Sequence, residues 1–180
     1  METAFYLLLV VGTLGAFDVV YFHTLKCRLH ARPECQREVL LHTLRHAVYG
    51  LQFLFIANLR LHGAALLALG GLYLADVFIA WADVWEETDS RRALGGLPRG
   101  EYFMHIVLSV LVGCYLTCVA GAVWGDRLLP TEIVISPPDV PPILRLQMSL
   151  MGATGLGFFV HDSLRWLRFR RKGAAALQAA

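Results

Sequence analysis

Charge is scarce in this sequence, and no polar stretch is long enough to build a separate soluble domain. Asp, Glu, Lys and Arg make up 17% of 180 residues, against 57% hydrophobic, and mean hydropathy is +0.55. A water-soluble domain of this length is rarely so apolar. Cysteine is limited to four residues with no C-x2-C pair, which excludes a zinc knuckle, a c-type haem attachment and a disulfide framework. Cys27 and Cys35 fall on the side expected to keep thiols reduced. Cys114 and Cys118, one helical turn apart in an apolar run, default to small packing groups. Internal repeats, low-complexity tracts and nucleic-acid motifs are lacking too, so no nucleic-acid partner is expected. Glu2 and no basic region precede the first apolar run, which continues through Asp18 to Phe22. The expectation is a retained span and not a cleaved signal peptide.

What is abundant is apolar sequence. Stretches at about 4–22, 43–60, 63–84, 102–124 and 143–166 each approach the roughly 20 residues that a spanning helix needs. The expected fold is an all-α integral membrane protein, one domain made of a bundle of about five transmembrane helices. The second helix reaches spanning length if it begins near Pro33, a residue suited to a first helical turn. With alternating spans, 13 of the 16 Lys and Arg residues share one side: the 23–45 region, the 85–102 loop and the C-terminal tail. That side is expected to be cytoplasmic, with the N-terminus outside and the C-terminus inside a bacterial inner (plasma) membrane. Membrane lipids are the expected surroundings, and the basic tail meets their anionic headgroups.

The connections follow from composition. "NLRLHG" (58–63) reads as a tight external turn, and 86–102, with its glycines and Pro98, as the main cytoplasmic loop. In the external loop 125–142, "TEIVIS" reads as extended and "PPDVPP" as non-helical. Gly12, Gly15 and Ala16 on the first helix, and Gly152, Gly155 and Gly157 on the fifth, are expected to let helices approach closely.

The ionisable residues inside or beside the spans gather in one leaflet. Asp18 and His23 lie near the inner end of helix one. Glu38, His42 and His46 open helix two at i, i+4 spacing and form one stripe. Asp76, Asp83 and Glu87 form a second stripe on helix three, and Glu101 and His105 a third on helix four. His23 is five residues from Asp18, so an α-helix places the two on different faces. Taken singly, His23, His30 and His161 read as interfacial residues. Glu38 reads as a partner for Arg37, Arg45 or Lys26, and Glu86, Glu87 and Asp89 as offsetting Arg91, Arg92 and Arg99 in the loop. Asp18 and Asp76 resist such accounts, because an acid deep in apolar sequence needs an internal partner.

Imidazole and carboxylate groups converging from facing helices are the donors of a first-row metal centre in a bundle core. The expected metal residues are His23, Glu38, His42, His46, Asp83, Glu101 and His105. Asp76 and Glu87 are the expected catalytic carboxylates, Asp76 orienting a histidine or relaying a proton. The expected cofactor is iron, in a di-iron type centre, with zinc or haem b as alternatives. Di-iron carboxylate proteins use Glu-x-x-His, whereas the pairs here are i+4, so the likeness is chemical. The corresponding function is a metal-dependent oxidoreductase acting on a lipid-soluble small molecule. Alternatives are a b-type haem or quinone electron-transfer subunit, with His42 or His46 facing His105; a zinc-dependent membrane hydrolase; and a non-catalytic accessory subunit of a membrane complex. There is one H-x3-H and no H-x2-H-H, so the histidine boxes of membrane hydroxylases and desaturases are absent. "RHAVYG" (45–50) with "EE" (86–87) is similar to the Arg-His-Pro-x-Tyr and Glu-Glu elements of isoprenylcysteine and phospholipid methyltransferases. That resemblance implies S-adenosylmethionine, but Ala47 stands where the family has proline, and two further spans follow Glu87.

Overall fold

The structure is a computed structural model that describes residues 1–135 and 141–178, with side chains described as far as Arg171. The chain is 86% helical. Its main helices are α1 (Glu2–Asp18), continued by a π-helical segment Val19–Lys26, then α2 (Gln36–Asn58), α3 (Leu66–Ser90), α4 (Arg99–Val123) and α5 (Pro142–Gln178). With their flanking turns, five helices are long and apolar enough to cross a membrane. Their outward faces carry large exposed apolar side chains, among them Phe78, Trp81, Trp85, Phe103 and Leu146. A surface so continuously apolar is not one that water tolerates.

Two expectations about the connections change. The 58–63 turn is not tight: Leu59–His62 is a strand, β1, antiparallel to β2 (Glu132–Ile135), with Leu61 opposite Ile133. The β-branched residues of "TEIVIS" make it extended, and the partner strand satisfies its backbone groups. Gly63 closes the ribbon at φ +54°, and a Cβ there would lie 2.6 Å from the Leu129 carbonyl oxygen. Only glycine fits such a position. Most of the "PPDVPP" segment lies outside the described residues. The 86–102 loop is also shorter than expected, because α3 runs to Ser90 and α4 starts at Arg99.

α2 is the hub. It packs along α5 and α3, while α1 packs along α4. Glycine sets the α2–α5 approach. A Cβ on Gly152 would lie 2.9 Å from the Gly50 carbonyl oxygen, and one on Gly155 would lie 3.2 Å from that of His46. A Cβ on Gly12 would meet Met151 and Phe53 side chains at 2.5 Å. Gly15 and Gly157 have open space where a side chain would go, so neither serves helix packing as expected. Gly50, which the sequence pattern did not single out, does.

The bundle is divided along its length. At the β-ribbon end, Phe5, Leu8, Phe53, Ile56, Tyr115 and Met148 belong to one apolar core. At the other end the interior is ionic, closed below by a small cluster of Cys27, Leu29 and Cys35.

Candidate metal centre

Each helix contributes to the ionic end by its local geometry. On α1, Asp18 and His23 are brought together, against expectation. Five residues advance an α-helix by about 140° beyond a full turn, but the segment between them is π-helical, with i→i+5 bonding, so the two side chains meet. Asp18 Oδ2 lies 3.5 Å from His23 Nε2. On α2, Glu38 and His42 are one turn apart, with His42 Nε2 3.7 Å from Glu38 Oε1. α3 carries Asp83, Glu87 and Ser90 along one face, and α4 opens with Glu101 and His105 beside them.

The contacts interlock. His105 reaches Asp18 Oδ2 through Nε2 and Glu87 Oε1 through Nδ1, each at 3.2 Å. His42 Nε2 is 3.4 Å from Asp83 Oδ1, and His23 Nε2 is 2.9 Å from Glu101 Oε1. The His23 and His42 rings are 4.3 Å apart between centroids. Arg91, expected in the solvated loop, is instead 1% exposed. Its Nη2 donates to Glu101 and lies 2.7 Å from Glu38 Oε1 as an ion pair. Ser90 Oγ donates to Glu38 as well. Arg45 Nε donates to Asp76 Oδ1 at 3.3 Å, and its Nη1 lies 3.6 Å from Asp83 Oδ2.

Charge does not balance among these groups. Asp18, Glu38, Asp76, Asp83, Glu87 and Glu101 are all buried, and the guanidinium groups among them are Arg45 and Arg91. With neutral histidines the cluster holds four net negative charges, and an uncompensated buried charge costs several kcal/mol. Doubly protonated His23 and His42 would repel each other across 4.3 Å. Several atoms pointing inward also make no hydrogen bond in spite of close neighbours: Asp18 Oδ1, His23 Nε2, Glu38 Oε1, His42 Nε2 and Asp83 Oδ1. His23 Nε2 and Glu101 Oε1 approach to 2.9 Å, yet without the alignment a shared proton needs. Buried donors and acceptors in this state are rare.

Three sets of donor atoms lie within 4.8 Å of one another: Asp18, His23 and His105; His23, Glu38 and His42; Glu38, Asp83 and Glu87. They share His23 and Glu38, so they form one continuous donor surface of three imidazoles and four carboxylates. Of the residues expected from sequence, His23, Glu38, His42, Asp83, Glu87 and His105 belong to it. Glu101 touches His23 and Arg91 but belongs to no donor set. His46 does not join: it turns to α5, with Nδ1 3.4 Å from Asp162 Oδ2 and its ring against Phe158. Asp76 is held by Arg45 and touches no histidine among the described contacts. Asp18 was marked in the sequence only as an acid in need of a partner, and is a full member. Ser90 and Arg91 gave no sequence signal, since a Ser-Arg-Arg run after "EETD" reads as loop. Cys27 packs against the cluster through Glu101, at 4.0 Å. Burial holds its thiol above the ordinary range, so it sits there protonated.

A cavity of about 1220 Å³ opens onto the donor surface and runs between the helices. His42, His105, Asp83 and Glu87 line it at one level, and Gly12, Gly15, Phe53, Leu116 and Met151 at another. Compared with known proteins, the chain matches no family, no curated protein and no solved structure.

Proposed function

We propose that this chain is an integral membrane metalloprotein whose His/carboxylate cluster holds two divalent cations, and that it is a non-haem iron oxidoreductase acting on a lipid-soluble substrate. The observation that carries the reading is three interlocking donor sets within a cluster of six buried carboxylates that includes two guanidinium groups. Two divalent cations would offset the carboxylate charge that the arginines leave. Imidazole with carboxylate is a donor set suited to iron or zinc and not to Cu(I). Both nitrogens of His105 face carboxylates, His42 faces Glu38 and Asp83, and His46 faces Asp162, which disfavours a porphyrin held between His42 or His46 and His105. The apolar cavity favours oxygen and a lipid-soluble substrate over the bulk water that zinc hydrolysis consumes. The distribution of basic residues supports a cytoplasmic-leaflet position for the cluster, with the N-terminus outside and the C-terminus inside, and an inner (plasma) membrane is the proposed setting.

The protein's own groups have assignable tasks. Carboxylates on both nitrogens of His105 fix its ring, as outer partners do for metal-bound histidine. Arg45 ties Asp76 to Asp83 and so supports a donor from outside the set. Arg91 and Ser90 hold Glu38, the donor shared by two sets. The packed apolar core at the β-ribbon end keeps water from entering along the helix axis. When bound, the cations supply one-electron chemistry that none of these side chains offers.

The test is metal analysis with an optical spectrum of detergent-purified protein. The expected result is about two irons per chain and no Soret band. Stoichiometric zinc would point to hydrolysis, and a Soret band to haem. Absence of both metal and haem would overturn the reading in favour of an accessory subunit whose polar stripes join helices.

A further inference from the structure

The cavity has a polar mouth that the metal reading does not use. Arg165 and Arg168, on one face of α5, line it together with His30 from the segment before α2. Among the described residues, neither arginine has a carboxylate within ion-pair distance, in contrast to Arg45 and Arg91. His30 is held below its ordinary range, first by burial and then by Arg165 close to it. Above this mouth the lining turns apolar, at Phe53, Met151 and Leu116.

The level of the mouth relative to the donor surface can be read from the antiparallel α2–α5 pairing. Asn58 Nδ2 donates to Ser149 Oγ at 3.0 Å, His46 faces Asp162, and Trp166 Nε1 donates to the Gln36 carbonyl oxygen at 3.2 Å. Arg165 therefore stands opposite the turn of α2 that carries Glu38 and His42. From Arg168 back to Met151 the helix rises about 26 Å, a length that accommodates a long alkyl chain.

We propose that the cavity takes a long-chain amphiphile with one anionic headgroup, a carboxylate or a phosphate, bound by Arg165 and Arg168 with its tail running toward Phe53 and Met151. This rests on the metal-centre reading and gives it a substrate class. Two unpaired guanidinium groups bind an anion by charge-assisted hydrogen bonds and repel a cationic headgroup. Because the mouth and the donor surface share one level, the carbons near the headgroup, and not the middle of the tail, face the donors. Arg170 and Arg171 are also exposed on the same helix but do not line the cavity. A role limited to bulk lipid headgroups would treat all four arginines alike.

The experiment is equilibrium binding of radiolabelled stearate, octadecyl phosphate and octadecanol to the full chain in uncharged maltoside micelles, with metal content measured on the same samples. One equivalent of stearate or of octadecyl phosphate should bind roughly tenfold or more tightly than octadecanol, about 1.4 kcal/mol. Whichever acid is preferred identifies the headgroup. The Arg165→Ala/Arg168→Ala variant should lose the preference and keep its metal, whereas Arg170→Ala/Arg171→Ala should keep both. Equal binding of all three compounds, or the same loss in both double variants, would overturn the proposal. Metal-loaded protein without selectivity would overturn this inference alone, and metal-free wild-type protein would overturn the function it rests on.

Discussion

At the scale of single residues, the two histidines of "LHTLRH" make the sharpest contrast. His42 and His46 are one turn apart and look equivalent in the sequence, yet only His42 faces Asp83 and Glu38, while His46 faces Asp162. If the cluster holds metal, His42→Ala and His105→Ala should each lower bound metal at least tenfold, since even an outer partner is worth about 10–100-fold. His46→Ala and His62→Ala should retain it. Metal analysis of the four purified variants checks this, and retention by the first two would sink the metal reading. Arg91 gives a second prediction. Replacing it with Met leaves Glu38 and Glu101 facing each other in the interior, an arrangement that costs about 3–5 kcal/mol. Thermal unfolding of the metal-free protein in detergent should show that loss, and Arg92→Met, on an exposed pair with Asp89, should show almost none. The equivalence of His42 and His46 was the limit of what spacing could reveal. An i, i+4 rule gives a shared side of a helix, and a side is wide enough to face two different neighbours.

At the scale of elements, the π-helical segment after Asp18 decides whether α1 takes part in the site. Deleting Val20 would set Asp18 and His23 four residues apart, which an ordinary α-helix also places on one face. That deletion should preserve metal binding. Inserting one alanine after Val20 would set them six apart, about 120° away from each other, and should abolish it. Metal retained by the insertion variant would show that α1 contributes no ligand pair. The glycine contacts between α2 and α5 can be tested alongside. Gly152→Val pushes against backbone and should destabilise by about 1–3 kcal/mol in thermal unfolding. Gly157→Ala, with open space at its Cβ, should be neutral. The sequence marked Gly152 and Gly157 alike, because small residues at helical spacing do not say which neighbour comes close.

At the scale of the whole molecule, the uneven placement of polar groups is the central fact. One end of the bundle is an apolar core with a two-stranded ribbon across it, and the other is an ionic interior. Reporter fusions after Arg127 and after Lys172 test how that axis lies in a membrane. External signal from the first and cytoplasmic signal from the second are expected, and the reverse would move the cluster to the other leaflet. By itself the sequence determined five helices long and apolar enough to span, and it determined that their carboxylates and histidines collect at one end. Both follow from composition and from position along each helix, which need no neighbour to be known. It also marked Glu38, His42, Asp83, Glu87 and His105 as groups on common faces, through spacing alone. Only the tertiary structure decided that His46 turns away to α5, that Arg91 leaves the loop for the interior, and that Asp18 and His23 meet. The first two depend on which helices α2 packs between and on how far α3 extends, and these are properties of close packing between distant segments. The third depends on a change of helical register, from α to π, within one helix, and no residue pattern in "DVVYFHTLK" distinguishes a π-turn from an α-turn.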